Sequence, residues 1–592
     1  MSSFESVKIS CDLCVVGGGL SGVCAAISAA RNGADVVLVQ DRPMLGGNAS
    51  SEIRMWVCGA VGDNLRETGI IEEIMLKNYY RNPYKNYSIW DSVILETVME
   101  NENIRLLLNC SCMNAEAQDD AIKHIVCWQT TTQKFFRIKA RIFADCSGDS
   151  VLAVESNAEY RVGRESSDEF GEEFGAESAD KKTMGMSCLI QAREYDEERI
   201  FIPPAWARKL TARDMRHRFP NLSNDTENFW YLELGGDRDS IGDTEEVRDE
   251  LLKLAYGVWD FLKNDESCKE KHKNRDIDWI GILPGKRESR RYVGDYILTE
   301  KDILSGFEFS DAVAYGGWPL DDHNPSGFNG INERPNRVKF LNHPYTIPFR
   351  CLYSRNISNL MFAGRNISAS HAALSSTRVM GTCSVIGQAV GTAAAMAVKY
   401  NITPRMIDES RIDELRSRLM YDDCFIPGTK RRVNKITSGA LISTDMSEPE
   451  NLRNGYDRPT EDGYNVSIGK PGCFFEYSFK EPRFVEKVRI VFDSDLNRQT
   501  LPPRERKLNR NMYHNIPLGM EASYVPKTLI KSFRVVFLRE DNEQETVAVS
   551  DNYQRLVYVP CNKKIKSVKL IFDGTHGGEE CRVFAVDLIG KE

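Results

Sequence analysis

The sequence predicts an α/β fold joined to a C-terminal all-β sandwich, and three observations carry that reading. Residues 12–40 run as an apolar strand, a glycine turn, a small-residue helix and a second apolar strand. A returning stretch of similar character, Asn359–Asn366 followed by the small-residue run Gly387–Ala395, comes more than three hundred positions later. Beyond about residue 455 helical periodicity gives way to short strand-like runs separated by turn residues.

The first unit has a chemical purpose in each glycine. An apolar run ending at Val16 enters Gly17-Gly18-Gly19-Leu20-Ser21-Gly22. Gly17 permits the tight turn, Gly19 lets phosphate oxygens approach the backbone, and Gly22 lets the helix pack close to the strand. Leu20 and Ser21 open that helix, whose N–H groups and positive dipole end suit a dinucleotide pyrophosphate. Ala25, Ala26, Ala29 and Ala30 keep the helix slim, and Asn32-Gly33 ends it. The second strand, 36–39, leads to Gln40, where the dinucleotide pattern has an acid for the ribose hydroxyls. Either Gln40 donates and accepts in place of the carboxylate, or Asp41 reaches back.

Further segments bear on which dinucleotide is held. Asp41-Arg42-Pro43-Met44-Leu45-Gly46-Gly47-Asn48-Ala49-Ser50 resembles the flavoprotein turn in which a glycine pair runs beside the flavin and ribityl chain. Ala140–Asp149, ending Ser147-Gly148-Asp149, resembles the motif that closes the adenine side of an FAD site. Glu288-Ser289-Arg290-Arg291-Tyr292-Val293-Gly294-Asp295-Tyr296, Ala363-Gly364-Arg365-Asn366 and Ser376–Gly381 complete the set. Together, residues 10 to about 425 resemble the FAD-dependent oxidoreductases of the glutathione-reductase type.

That resemblance implies an FAD cofactor held by Gly17, Gly19, Leu20, Ser21, Gly22, Gln40, Asp41, Arg42, Gly46, Gly47, Asn48, Ala49, Ser50, Ser147, Gly148, Asp149, Gly364, Arg365 and Gly381. It also implies a glutathione-reductase-type Rossmann domain in two parts, 1–155 and 351–428, with an α+β substrate domain at 156–350 inserted between them. A second glycine fingerprint is absent, so the reading has no separate NAD(P)H domain.

Within this frame, helices are expected over Leu65–Tyr80, Trp90–Glu100 and Glu245–Phe261, and a strand over Thr183–Arg193. The polar stretch 429–455 reads as a linker. The strand-like runs Cys473–Phe479, Val485–Phe492, Leu529–Leu538, Leu556–Val559, Val568–Phe572 and Val583–Leu588 then build the sandwich at 456–592. Its segments Val488–Arg498 and Lys566–Leu588 resemble strands of galactose-binding-like jelly rolls, modules that bind sugars or serve in packing and dimerisation.

Composition narrows the partners. The 592 residues are 41% hydrophobic and 28% charged, ordinary for a globular chain. A formal charge of −9 disfavours nucleic acid and anionic membrane as partners. No uninterrupted run of 18 apolar residues and no basic, apolar N-terminal leader is visible, so a cytoplasmic protein is expected, with a homo-oligomer left open. The 16 cysteines are scattered, and Cys11-x-x-Cys14 lies on a core strand with no second pair, so reduced thiols acting as small hydrophobes are expected. No GxSxG elbow and no His/Cys/Asp set with metal spacing is found.

His371 is the leading acid/base candidate, because it follows the Ala363-Gly364-Arg365 segment that the family lays along the flavin and precedes a helix. Arg290 and Arg291 suit clamping a carboxylate or steadying an anionic flavin, although either could pair with Glu288 or Asp295 instead. Arg378 has the same two readings. His323 and His343 lie in loops rich in polar and aromatic groups. The functional expectation is an FAD-dependent oxidoreductase that transfers hydride between flavin and a small polar substrate, leaning towards carbohydrate metabolism through the attached sandwich. A reductase or monooxygenase fed by an external donor, and an FAD-retaining glycan-binding scaffold, stay open as alternatives.

Overall fold

A computed structural model describes residues 4–220, 229–502, 512 and 522–590. The chain divides into two compact units. The first comprises the described residues through Ala60 and Tyr84–Arg416, with Met512; the second comprises Val61–Pro83 and the described residues of 417–509 and 522–592.

The first unit is organised by a seven-stranded sheet. Its strands are β1 (Ser6–Val16), β2 (Val36–Val39), β3 (Ile104–Leu107), β4 (Cys110–Gln118), β5 (Ala121–Gln129) and β6 (Lys134–Asp145), in the order β3-β2-β1-β6-β5-β4, with Leu360–Phe362 also on β6. β1 runs parallel to β2 (Leu13↔Val36) and to β6 (Val16↔Asp145), and the returning strand runs parallel to β6 (Phe362↔Asp145). Leu13–Val16 and all of β2 are buried, as parallel strands covered on both faces require. β4 has no counterpart in the sequence reading, because only Cys110 and Ala115 are buried on it and its residues make no apolar run.

Helix α1 (Leu20–Arg31) packs against the helix Met380–Tyr400 almost backbone to backbone. A Cβ on Gly387 would lie 2.0 Å from the Ser21 carbonyl oxygen, and one on Gly391 would lie 2.1 Å from that of Ala25. Ser28 Oγ meets Thr392 Oγ1 at 2.7 Å in the same seam. The small residues of α1 therefore serve this helix pair as well as the strand. Met380–Tyr400 is long and apolar enough by composition to cross a membrane, but 94% of its most apolar window is buried in the fold. It is a core helix.

The region 156–350 lies in this same unit as a set of small sheets and one long helix, Thr244–Asn264. Val247, Leu251, Leu254, Val258 and Leu262 mark its buried stripe, at helical spacing. The strand expected over 183–193 is broken into Met186–Ser187 and Ile190–Glu194, which join different sheets. The short strand Leu320–His323 pairs antiparallel with Asn336–Lys339.

The second unit is an all-β sandwich with one apolar core, including Phe475, Tyr477, Ile490, Phe492, Phe533 and Phe572. Two 20-residue strands, Cys473–Phe492 and Leu556–Thr575, replace the shorter pairs expected, with bulges where each bends. Residues 429–455 are not a linker. Leu441–Thr444 pairs with Cys473–Phe492, and Arg431 forms buried ion pairs with Asp457 (3.0 Å) and Asp587 (2.6 Å). The helix expected over 65–80 begins only at Ile70, because Gly69 turns the chain at φ 82°. It belongs to this unit, where Leu76 and Tyr79 join the core and Glu72 pairs with buried Arg498 at 2.6 Å. None of the 16 cysteines forms a disulfide.

Candidate cofactor site and substrate cavity

The turn after β1 shows why its glycines are required. Gly17 sits at φ 105°, and a Cβ there would fall 2.5 Å from the Cys146 carbonyl group at the end of β6. A Cβ on Gly22 would fall 1.9 Å from the Gly17 oxygen. Gly19 is different: its missing Cβ would have only the Gly47 Cα, 3.9 Å away, so open space stands at the N-terminus of α1. Gly46 N–H donates to the Gly18 carbonyl (2.8 Å) and lays the second glycine pair alongside. This cradle fits a dinucleotide pyrophosphate.

Gln40 resolves the ribose question in an unexpected way. Its Oε1 accepts from Gly18 N–H (2.7 Å) and its Nε2 donates to the Met44 carbonyl (3.2 Å), so the side chain braces the two glycine turns. Asp41 does not reach back; it is exposed and lies 3.6 Å from its neighbour Arg42. Leu20 is buried in the core, and Ser21 Oγ donates to the Ala363 carbonyl (3.4 Å), tying α1 to the returning segment. These two side chains therefore face the protein, away from the open space.

Asp149 is the electrostatic centre of the remaining expected residues. Its carboxylate takes Lys286 Nζ (2.9 Å), Arg365 Nη2 (2.8 Å) and Ser289 Oγ (2.7 Å). Burial alone would raise its pKa, but Arg365 and Lys286 outweigh that and hold the carboxyl well below its usual range. Gly148 leaves room for the Arg365 guanidinium, which would stand 2.9 Å from a Cβ there. Ser147 caps Asp145, and Asn48 Nδ2 donates to the Lys286 carbonyl at 3.1 Å. The Ala49 carbonyl accepts from Trp90 Nε1 (2.8 Å), and Ser50 is buried with its Oγ accepting from Glu52 N–H (3.4 Å). Gly364 turns the returning strand at φ 116°, and Gly381 N–H donates to the Cys58 carbonyl at 2.7 Å.

His371 lies at the start of the short helix His371–Thr377, with only 2% of its side chain exposed. Both ring nitrogens face carboxylates. Nδ1 is 2.9 Å from Glu288 Oε2, and Nε2 is 3.0 Å from Asp322 Oδ1. Burial disfavours the charged ring, but Glu288 and then Asp322 outweigh it, and the pKa is pushed up to about 10. The ring is thus a cation bonded on both sides. Glu165 fixes the local backbone by accepting His371 N–H at 2.8 Å.

Arg291 belongs behind this centre. It is 1% exposed, pairs with Glu165 (3.2 Å) and Glu288 (3.4 Å), and donates to the carbonyls of Ala369 and Gly163. A substrate clamp is excluded by that burial. Asp295 pairs instead with Arg405 at 2.6 Å. Arg290 stands half-buried over the Tyr160 ring. Arg378 reaches the Asp321 carbonyl oxygen at 3.1 Å and its carboxylate at 3.4 Å. His323 forms a second buried centre, with Nδ1 2.6 Å from Glu233 and Nε2 3.4 Å from Asp321. His343 stands apart from these centres, with its ring against Gly306 and its Nδ1 3.3 Å from the neighbouring Pro344 carbonyl.

A cavity of about 660 Å³ opens beside these centres, its wall including Asp322, His323, Arg164, Lys182, Arg334 and Asn336. Asp322 is 17% exposed, against 2% for His371 and none for Glu288. The sequence reading named the loop containing Asp321, Asp322 and His323 but assigned the acids no role. Their alternation on a strand places Asp322 against His371 and Asp321 against His323 and Arg378. Glu165, Glu233 and Arg287, which lies 3.5 Å from Glu233, were also missed, because isolated charged residues offer no spacing by which to find them.

The fold and site define a dinucleotide-binding α/β protein with a charged, half-open cavity in the same unit. The FAD dependent oxidoreductase family model matches residues 12–419, and the chain belongs to that family, whose cofactor is FAD. The comparison with curated proteins finds no match. Among solved structures, a geranylgeranyl bacteriochlorophyll reductase-like protein from Thermoplasma acidophilum is 12% identical, with a TM-score of 0.31, over 70% of this chain and 86% of its own. A fucose binding module from Streptococcus pneumoniae is 10% identical, with a TM-score of 0.19, over 27% of this chain and 100% of its own.

Proposed function

We propose that this chain is an oxidoreductase in which FAD, held in a glutathione-reductase-type domain, exchanges hydride with a small polar, carbohydrate-derived substrate. The observation that carries the reading is the line Asp322–His371–Glu288, which runs from the cavity wall into the core. When bound, FAD supplies the hydride acceptor or donor. The chain's own residues handle the accompanying proton.

Removing hydride from an alcohol carbon also releases the hydroxyl proton, and a carboxylate at the cavity wall is placed to accept it. Asp322 has that position. His371 has no free nitrogen and little exposure, so it acts as a positioning residue: its cationic ring orients Asp322, and Glu288 holds the ring. The sugar character is supported by the cavity lining, where Asn324, Ser326, Asn336 and Glu333 offer donors and acceptors to hydroxyl groups.

The test is an anaerobic titration of the yellow holoprotein with sugars, sugar alcohols and sugar acids, followed by visible flavin absorbance. Bleaching by one of them is the expected result. Bleaching by NAD(P)H alone would overturn it in favour of an externally fed reductase or monooxygenase, and no bleaching by any of them would favour a scaffold.

A further inference from the structure

The cavity beside Asp322 has a charge imbalance that proton transfer does not explain. Four cationic side chains line it, Arg164, Lys182, Arg334 and Arg337, against two carboxylates, Asp322 and Glu333. The chain as a whole carries a formal charge of −9, so the cavity runs against the protein's average. Both carboxylates are already engaged: Asp322 by His371, and Glu333 by the Asn324 amide. Two of the cations are engaged as well, Arg164 with Asp180 (Nε 3.1 Å) and Arg337 with Glu173.

Lys182 and Arg334 remain. Among the described residues neither has a carboxylate within 4.0 Å, and both are exposed at the cavity wall. Two unmatched cations in a concave site focus the field and favour an anion there more than on an open surface. The volume, about 660 Å³, accommodates a hexose-sized molecule with a charged substituent.

We propose that the substrate is an acid, and that its anionic group, a carboxylate or a phosphate, docks between Lys182 and Arg334 while its reacting hydroxyl meets Asp322. This rests on the reading of the cavity as the substrate site of an oxidoreductase. Arg164, held by Asp180, supplies a fixed third cation on the same cavity wall. The neutral hydroxyls of the substrate fall to Asn324, Ser326 and Asn336.

The experiment is calorimetric binding to the holoprotein without turnover, using glucuronate, glucose 6-phosphate and uncharged glucose as probes. The K182A/R334A variant and the charge-reversed K182E/R334E variant are compared with wild type. At least one charged probe is expected to bind about 10-fold or more tighter than glucose, with the preference shrinking as salt is added. That preference should vanish in K182A/R334A and invert in K182E/R334E, with the thermal transition unchanged because both residues are exposed. The tighter of the two charged probes identifies carboxylate or phosphate. Equal affinities, no binding of either charged probe, or a preference that survives the double substitution would overturn the subsite. Charged-probe binding without anaerobic flavin bleaching by any sugar would leave the subsite standing and remove the hydride-transfer reading. Bleaching by neutral sugars with no charge preference would do the reverse.

Discussion

Glu288 presents both carboxylate oxygens to Nδ1 of His371, at 2.9 and 3.1 Å, from a position with no solvent exposure. A buried acid on one side and Asp322 on the other leave the ring charged and fixed. The histidine that the sequence singled out therefore stands one residue behind the cavity, and the acid it holds stands at the wall.

A division of labour between Asp322 and His371 follows. Asp322→Asn is expected to slow flavin reduction by roughly 10²–10⁴-fold, the range for loss of a general base. His371→Asn should slow it less while leaving FAD bound. Stopped-flow reduction measured across pH separates them: a pH dependence that survives Asp322→Asn unchanged would remove Asp322 from proton transfer.

The same histidine makes stability depend on alkaline pH. Its folded pKa of about 10 lies above the ordinary 6.5. The protonated ring therefore contributes stability that is fully present below about pH 6.5 and declines as pH rises towards 10. This contribution is on the order of a few kcal/mol. Comparing the thermal transitions of wild type and His371→Gln from pH 6 to 10 should show their gap closing; a constant gap would contradict the charged ring.

His272 sets the acid side. It is buried, and neither ring nitrogen has a hydrogen-bond partner among the described residues. Burial, followed by Arg275, lowers its pKa to about 4. A depressed histidine contributes stability that is present above about pH 6.5 and lost as pH falls through 4. Urea unfolding of His272→Phe should lose less stability than wild type between pH 6.5 and 4, by about 1–3 kcal/mol. Identical acid limbs would show that the ring does not titrate in this range.

The seam between α1 and Met380–Tyr400 tolerates no added methyl group. Gly387→Ala or Gly391→Ala would place a Cβ about 2 Å from a carbonyl oxygen of α1, at Ser21 or Ala25. Such overpacking costs about 1–3 kcal/mol and forces the glycine turn out of place. A lowered transition temperature and faster FAD release are expected, whereas Gly463→Ala, where nothing lies within 4 Å, serves as the control. Unaltered FAD retention in both seam variants would show that the cradle does not depend on this contact.

Gln40 is expected to matter for the shape of the cradle. Gln40→Ala removes the acceptor of Gly18 N–H and the donor to Met44, costing about 1–3 kcal/mol for the buried groups left unmatched. The dissociation rate of FAD, read by fluorescence recovery, should rise. No change would return Gln40 to the role of a simple ribose ligand.

The parts of the fold that were legible in the sequence are those set by neighbours along the chain. Gly17, Gly19 and Gly22 lie within one turn, and the period of Val247–Leu262 is that of a single helix, so local sterics and patterning decide them. The helix at Ile70–Arg81 was legible as a helix but not in its membership of the second unit, since an apolar stripe does not specify what covers it. Arg431 and the strand Leu441–Thr444 were hidden for a related reason: polar residues look like linker until their partners are known.

From the sequence alone, then, came a nucleotide cradle, its FAD family and a trailing sandwich, because glycine conformation and side-chain periodicity act over a few residues. Only the tertiary structure set Glu288, His371 and Asp322 in line, buried Arg291, turned Gln40 onto the glycine loop and gathered Arg164, Lys182 and Arg334 around one cavity. Charged groups far apart along the chain acquire their chemistry from distance and desolvation, and both are properties of the folded state.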